Sequence, residues 1–320
     1  MAQDNALQNN RVTISIVLLT YNGMPLIQDC LRMISRQAVD AEIEIVHIDS
    51  GSTDGTLDVA RAFPLQTVHI RKDDFHHSRT RNFAATIARG EIVVFLSQDA
   101  IPDSPSWLFN LVAPFTDPTI GAVYGRQIAP QSVGPVRRYA ITSLYPVQRE
   151  VRQLSPLQPL SLSMVRFSNA NSAIRKDLIA RFRFNERALV CEDHGICRDI
   201  LLAGYKVLYE PDATVIHGHQ RNLYSEFQWA VDNGISLTRM GILDRKAGVR
   251  NELRYGYSNL ARQVRHFVLR REYGHVVMTI FTNTVRLFGV QLGKRENRIP
   301  SWLLRKVSSG LQHVSIKSAE

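Results

Sequence analysis

Apolar and polar positions follow two rhythms along the N-terminal third of the chain. Ile92-Val93-Val94-Phe95-Leu96 follows a Gly90-Glu91 turn and runs straight into Ser97-Gln98-Asp99. An unbroken apolar run rich in β-branched residues predicts a central strand covered on both faces. Val12–Leu19 and Glu44–Ile48 have the same character, and Thr67–Ile70 is a shorter version. Between these runs the apolar positions change spacing. Leu26, Ile27, Cys30, Leu31 and Ile34 predict one helix, Leu57, Val59, Ala60 and Phe63 a second, and Phe83, Ile87 and Ala88 a third. Strands that alternate with helices predict a mostly parallel α/β sheet, because parallel neighbours need crossover connections. Ligands of such sheets sit at the carboxyl ends of the strands, which brings Asp99 to the edge of a crevice.

Farther on, Trp107–Phe115 reads as a helix and Gly121–Ile128 as a strand. Pro130–Pro159, rich in Pro, Ser and Gln, is expected to be a long functional loop or an acceptor-covering segment. Order is expected again from Met164 to Ile174. Cys191-Glu192-Asp193-His194-Gly195 opens a helix over Ile196–Ala203 that Gly204 stops. Lys206–Val215 is a strand interrupted at Pro211, and it ends in Ile216-His217-Gly218-His219. Leu223–Leu237 is amphipathic. Val276–Leu292 is largely apolar, but Thr282-Asn283-Thr284 and Arg286 interrupt it, which makes a poor bilayer span.

Composition changes this picture in two places. The 320 residues carry 39 Lys+Arg against 29 Asp+Glu, a formal net charge of +10. Residues 245–320 alone hold 15 Lys+Arg and 4 Asp+Glu, leaving 24 against 25 for the rest. A basic excess confined to the tail, with Arg262, Arg265, Arg270 and Arg271 beside apolar positions, fits a helix lying on an anionic leaflet. It does not fit nucleic acid, for which no RNP strand or zinc-finger spacing is present. The three cysteines, Cys30, Cys191 and Cys197, form no CxxC pair and are read as reduced thiols. Met1 to Arg11 is polar, without a secretory h-region, and is expected to be disordered, with the chain kept on the cytoplasmic side.

The candidate chemistry gathers where strands end or helices begin. Thr20-Tyr21-Asn22, Asp49 to Asp54, Ser97 to Asp99, and Glu192-Asp193 with His217 to His219 would share one rim of the sheet. Arg81, at the start of a helix, would bring a planar cation together with free backbone N–H groups, a combination suited to a diphosphate. There is no GxGxxG after the first strand and no GxxxxGK[ST], so neither a dinucleotide fingerprint nor a P-loop is present.

These residues resemble the family-2 glycosyltransferases over Thr13 to about Gln220. The opening strand ends in Thr20-Tyr21-Asn22, the second in Asp49-Ser50-Gly51-Ser52-Thr53-Asp54, and an acidic pair is present at Glu192-Asp193. The resemblance implies a GT-A-type nucleotide-diphospho-sugar transferase fold over residues 12–220; residues 221–320 fall mostly outside it and are expected, from their basic amphipathic pattern, to be a helical C-terminal region associating with the membrane. It implies donor contacts from Thr20, Tyr21, Asn22, Asp49, Ser50, His77, Arg81, Asn82, Gln98 and Asp99. Asp193, with Glu192, would supply the base, and Asn169 and Asn171 the acceptor side. The family's DxD metal motif is reduced here to Ser97-Gln98-Asp99. One carboxylate holds a divalent cation, Mg2+ or Mn2+, only weakly, so His217 or His219 would complete the site.

Phe75-His76-His77-Ser78-Arg79-Thr80-Arg81-Asn82 is similar to the FxHxxTRN segment of bacterial rhamnosyltransferases in that family. The expected activity is therefore inverting transfer of L-rhamnose from dTDP-rhamnose to a hydroxyl of a lipid-linked or polysaccharide acceptor, at the inner face of the cytoplasmic membrane. The alternatives are another UDP- or GDP-sugar donor, or a non-catalytic protein binding membrane or nucleic acid.

Overall fold

The computed structural model describes residues 13–155, 160–244 and 250–312. The expected N-terminal disorder lies outside those residues, as does Val12 of the first expected strand. Strands β1 (Thr13–Thr20), β2 (Glu42–Asp49), β3 (Gln66–His69) and β4 (Ile92–Ser97) alternate with helices α1 (Leu26–Ile34), α2 (Thr56–Ala60) and α3 (His77–Ile87). β1 pairs in parallel with both β2 and β4, and β2 with β3. The remaining elements are β5 (Ile101–Pro102), α4 (Trp107–Val112), β6 (Ile120–Ile128), α5 (Pro135–Leu144), β7 (Glu150–Arg152), β8 (Asn171–Arg175), α6 (Lys176–Phe182), α7 (Glu192–Leu202) and β9 (Lys206–Ile216). They complete a nine-stranded mixed sheet in the order β3-β2-β1-β4-β8-β6-β9-β5, with β7 on β9.

β4 is as buried as its composition demands, and its two faces feed two separate cores. Ile92, Val94 and Leu96 join Ile14, Ile16, Leu31 and Trp107 on one side. Val93 and Phe95 join Val17, Ile48, Tyr124 and Ile200 on the other. This alternation follows from the period of two along a strand with helices on both faces. β8, antiparallel between β4 and β6, ends the parallel half of the sheet. The interruption expected at Pro211 is a shift in the β6–β9 register, which resumes at Thr214.

Pro130–Pro159 departs from expectation, since it contains α5 and β7. Of α5 only Ile141 is buried, and a helix with one buried position gives almost no periodic signal.

The C-terminal region consists of α8 (Leu223–Arg239), α9 (Arg250–Leu269), α10 (Tyr273–Lys294), α11 (Ser301–Val307) and α12 (Ser309–Gln312). α8 is largely buried, and Ser236 Oγ accepts hydrogen bonds from the Leu189 and Val190 amides. α10 meets α8 at close range through glycines. A Cβ at Gly234 would fall 2.3 Å from the Val290 carbonyl oxygen, and one at Gly293 would fall 2.2 Å from that of Val231. α10 is long and apolar enough to cross a membrane by length and composition, yet its Arg286 pairs with Glu226 on α8.

Candidate functional site

Asp99 follows β4, and His217 and His219 follow β9, so the mixed sheet delivers all three to one rim. Asp99 Oδ2 lies 3.0 Å from His219 Nε2, and Asp99 Oδ1 lies 3.6 Å from His217 Nε2. The three ligand atoms lie within 4.8 Å of one another. His217 is oriented from behind. Its Nδ1 is 2.8 Å from Gln127 Oε1, an acceptor, while the Gln127 amide nitrogen donates to Ser168 Oγ. Nδ1 therefore carries the proton and the Nε2 lone pair faces Asp99. Burial, partly opposed by Asp99, pushes the His217 pKa down to about 4, so the ring is neutral at physiological pH. Burial raises the Asp99 pKa, but the His219 hydrogen bond and the nearby imidazoles outweigh it and leave the carboxyl below its ordinary value. One carboxylate and two imidazoles, with that of His217 held neutral, suit a divalent cation.

A second group, Cys191, Asp193 and His194, is equally compact. Burial, reinforced by Asp193 and Glu192, raises the Cys191 thiol well above its ordinary pKa, and that thiol donates to Asn233 Oδ1 at 2.6 Å. That thiol is committed to Asn233 on α8, whereas the Asp99 group stands at the strand-end rim and is the candidate metal centre.

The turn after β1 is locked to the turn after β2. Thr20 Oγ1 donates to Asp49 Oδ2 at 2.8 Å and so accepts from His47 Nε2, also at 2.8 Å. His47 Nδ1 then accepts from the Thr67 hydroxyl. Burial holds His47 neutral, with its pKa near 4. Asp49 is fully enclosed, and its carboxylate also accepts from the Gly51 and Ser52 amides and the Ser52 hydroxyl. Burial opposes those hydrogen bonds, which nevertheless win and lower its pKa. Ser50 Oγ donates to the Thr20 carbonyl, and Asn22 Oδ1 accepts from the Thr53 amide. Gln98 bridges to the turn after β1, accepting from the Tyr21 amide and donating to its carbonyl. Tyr21, 37% exposed, presents its ring to solvent with Lys72 against it.

The third cluster surrounds the start of α7. Asp193 Oδ2 accepts from the Asn169 amide, and Oδ1 is 2.8 Å from His194 Nδ1. Burial raises the Asp193 pKa, but His194 and these hydrogen bonds bring it below the ordinary carboxylate value. Arg81 Nη1 donates to Glu192 Oε1 at 2.8 Å, with both side chains almost enclosed. Asn169 donates to the same oxygen, and His77 Nδ1 lies 3.3 Å from Arg81 Nη1. Arg81 thus joins Glu192 rather than standing free for a diphosphate.

Two expected contacts lie elsewhere. Asn82 is buried and clamps both the amide and the carbonyl of Phe184, which pins α3 to the segment after α6. Asn171 is wholly enclosed, accepting from the Trp107 indole and donating to the Ala213 and Arg126 carbonyls. Side chains with every polar atom engaged in the core hold the fold rather than a donor, as expected of Asn82, or an acceptor, as expected of Asn171. Gln127 and His47 escape sequence reasoning because only pairing across the sheet brings them to their partners. His194 was visible beside Asp193.

The sequence model described as glycosyl transferase family 2 matches residues 15–182. The O-antigen chain rhamnosyltransferase RfbN of Salmonella typhimurium is 29% identical over 291 residues, 90% of this chain and 91% of that protein. WbaN of Salmonella anatum, of the same description, is 28% identical over 80% of this chain and 81% of its own length. Among solved structures, the mannosyltransferase PcManGT of Pyrobaculum calidifontis, in complex with GDP-Man and Mn2+, superposes with a TM-score of 0.61 at 20% identity, covering 90% of this chain and 88% of its own. Glucosyl-3-phosphoglycerate synthase of Mycobacterium tuberculosis gives 0.50 at 23% identity, over 73% and 81%. The fold is GT-A-like.

Proposed function

The chain belongs to glycosyl transferase family 2 and is a glycosyltransferase, and on that premise we propose that it transfers L-rhamnose from dTDP-rhamnose, with inversion, to a hydroxyl of a lipid-linked or polysaccharide acceptor at the inner face of the cytoplasmic membrane. The rhamnosyl assignment draws on the two Salmonella relatives. The observation that carries the chemistry is the convergence of Asp99, His217 and His219.

Asp99, His217 and His219 would hold a divalent cation, which when bound neutralises charge developing on the departing diphosphate. Two nitrogen donors suit a transition-metal ion such as Mn2+ better than Mg2+. The locked turns of Thr20–Asn22 and Asp49–Asp54 would seat the nucleoside, with Tyr21 offering its exposed ring as a stacking face. Asp193, held ionised, would take the acceptor's proton as its oxygen attacks the anomeric carbon. Glu192, neutralised by Arg81, positions the start of α7 rather than serving as a second base.

A thermal-shift series with dTDP-rhamnose, UDP-sugars and GDP-sugars, with and without Mn2+, tests this reading. A ligand at a hundredfold its Kd stabilises the native state by about 2.7 kcal/mol. Stabilisation by dTDP-rhamnose that requires Mn2+ is expected. Stabilisation by a UDP- or GDP-sugar alone would reassign the donor, and none from any nucleotide-sugar would sink the proposal.

A further inference from the structure

Beside the cation group lies a cavity that the transfer chemistry above does not use. It begins one residue after His219, has a volume of about 430 Å3, and includes Arg137 of α5, Arg221, Glu226 of α8 and Arg286 of α10 in its lining. The volume is that of a small-molecule site.

Its charge is unbalanced. Three guanidinium groups face the cavity, and Glu226 is the one acid among the lining residues. Glu226 is bonded to Arg286 Nε at 2.5 Å and stands 3.9 Å from Arg137 Nη1, beyond hydrogen-bond reach. Arg221 lies over the Trp229 ring, 4.7 Å from its centre. Arg137 Nε and Arg221 Nη1 are buried without a partner. Burial, with Arg286 next in weight and Glu226 offsetting only part of it, pushes the Arg137 pKa down to about 10. Buried guanidinium donors left unpaired are costly, and their planar forks match phosphate oxygens.

The neighbouring surface indicates what carries that phosphate. Met278, Thr282 and Arg286 line the cavity from α10. Met278 is itself exposed and leads from the cavity to Phe281, the near edge of an apolar stripe of Tyr273, Val277, Ile280, Phe281 and Phe288 on the side of α10 turned away from α8. Arg262, Arg265, Arg270 and Arg271 are exposed at the α9–α10 end of that stripe. An apolar stripe edged with cations suits a chain leaving an anionic leaflet.

We propose that Arg137, Arg221 and Arg286 form the subsite for the phosphate groups of a lipid-anchored acceptor, whose hydrocarbon leaves along the Tyr273–Phe288 stripe of α10. The subsite deepens the transferase reading and rests on it. It seats the anionic link between lipid and sugar next to the cation group, which leaves the sugar hydroxyl to reach toward Asp193.

The full-length protein, with the donor side saturated by Mn2+ and a nucleoside diphosphate, is titrated with farnesyl diphosphate, inorganic pyrophosphate, and phosphatidylcholine vesicles with and without phosphatidylglycerol. Two variants accompany it: Arg137→Met, and Arg286→Met combined with Glu226→Gln, which leaves no buried carboxylate stranded. Farnesyl diphosphate should bind more tightly than pyrophosphate, and both variants should lose about tenfold or more of that affinity, the scale of a lost charge-assisted contact. Their affinity for the nucleoside diphosphate should be retained, which also shows that they are folded. Equal affinity of wild type and variants for farnesyl diphosphate would overturn the assignment. Equal binding of pyrophosphate and farnesyl diphosphate would make the site one for free phosphate, and response to phosphatidylglycerol vesicles alone would make it a headgroup site. Either result removes the acceptor proposal. If the wild type binds no nucleoside diphosphate, the transferase reading itself fails. If it does but ignores farnesyl diphosphate, only this inference fails.

Discussion

His219 Nε2 stands 3.0 Å from Asp99 Oδ2, where the turn from β4 into β5 meets the end of β9. The lone carboxylate of the Ser97-Gln98-Asp99 motif is thereby supplemented from a distant part of the chain. If these groups hold the cation, Asp99→Ala removes the sole carboxylate and activity should nearly vanish, with no rescue by excess Mn2+. His219→Ala removes one ligand of several, so the Mn2+ concentration for half-maximal activity should rise and high Mn2+ should restore part of the rate. Full activity in EDTA would defeat the metal assignment.

Asp193 gives a prediction in pH as well as in rate. Asp193→Asn should lower turnover by about two orders of magnitude while the donor still binds. Because its carboxyl pKa is lowered, the wild-type base stays ionised through neutral pH, and kcat should fall only on the acid side of the ordinary carboxylate range. The same shift stabilises the fold. A depressed carboxylate contributes stability above its unfolded pKa and loses it as pH falls through the folded value. Unfolding free energy measured from neutral pH downward should therefore decline more steeply for wild type than for Asp193→Asn. Unchanged turnover in the variant would move the base elsewhere.

The Arg81–Glu192 pair is almost enclosed, with side chains 11% and 7% exposed. Arg81→Met strands the carboxylate and should cost about 3–5 kcal/mol in urea unfolding. Adding Glu192→Gln should recover much of that loss. A double variant as unstable as the single one would show that Arg81 acts mainly through packing.

Deleting the basic tail before Lys246 is a poor test of membrane binding, because α10 covers α8 through Gly234, Gly289 and Gly293. Reversing charge at the exposed Arg262, Arg265, Arg270 and Arg271 leaves that contact intact. Cosedimentation with anionic vesicles should then weaken, and salt should weaken the wild-type interaction as the Debye length shrinks from about 10 Å at 0.1 M to about 3 Å at 1 M. Phe281→Ser, on the apolar stripe, should weaken binding without changing its salt slope. Salt-insensitive vesicle binding, or none, would remove the membrane reading.

The sequence by itself determined the alternating half of the sheet. The run Ile92–Leu96 and its relatives are apolar on both faces, and only a strand covered on two sides satisfies such a pattern. It also determined where the ionisable groups would gather, because turns at strand ends are set locally by residues such as Asp49-Ser50-Gly51 and Cys191-Glu192-Asp193. Tertiary structure decided which of them work together. Asn82 and Asn171 stand in motifs that resemble binding segments, yet long-range hydrogen bonds to Phe184 and Trp107 engage them in the core. Arg81 met Glu192, and Gln127 became the support of His217, through pairings between distant segments. Helix α5 escaped notice because it buries one position, and the arginine cavity because its three cations arrive from separate segments. Local spacing encodes which face of an element is apolar; it does not encode which other element that face will meet, and the chemistry of this rim depends on those meetings.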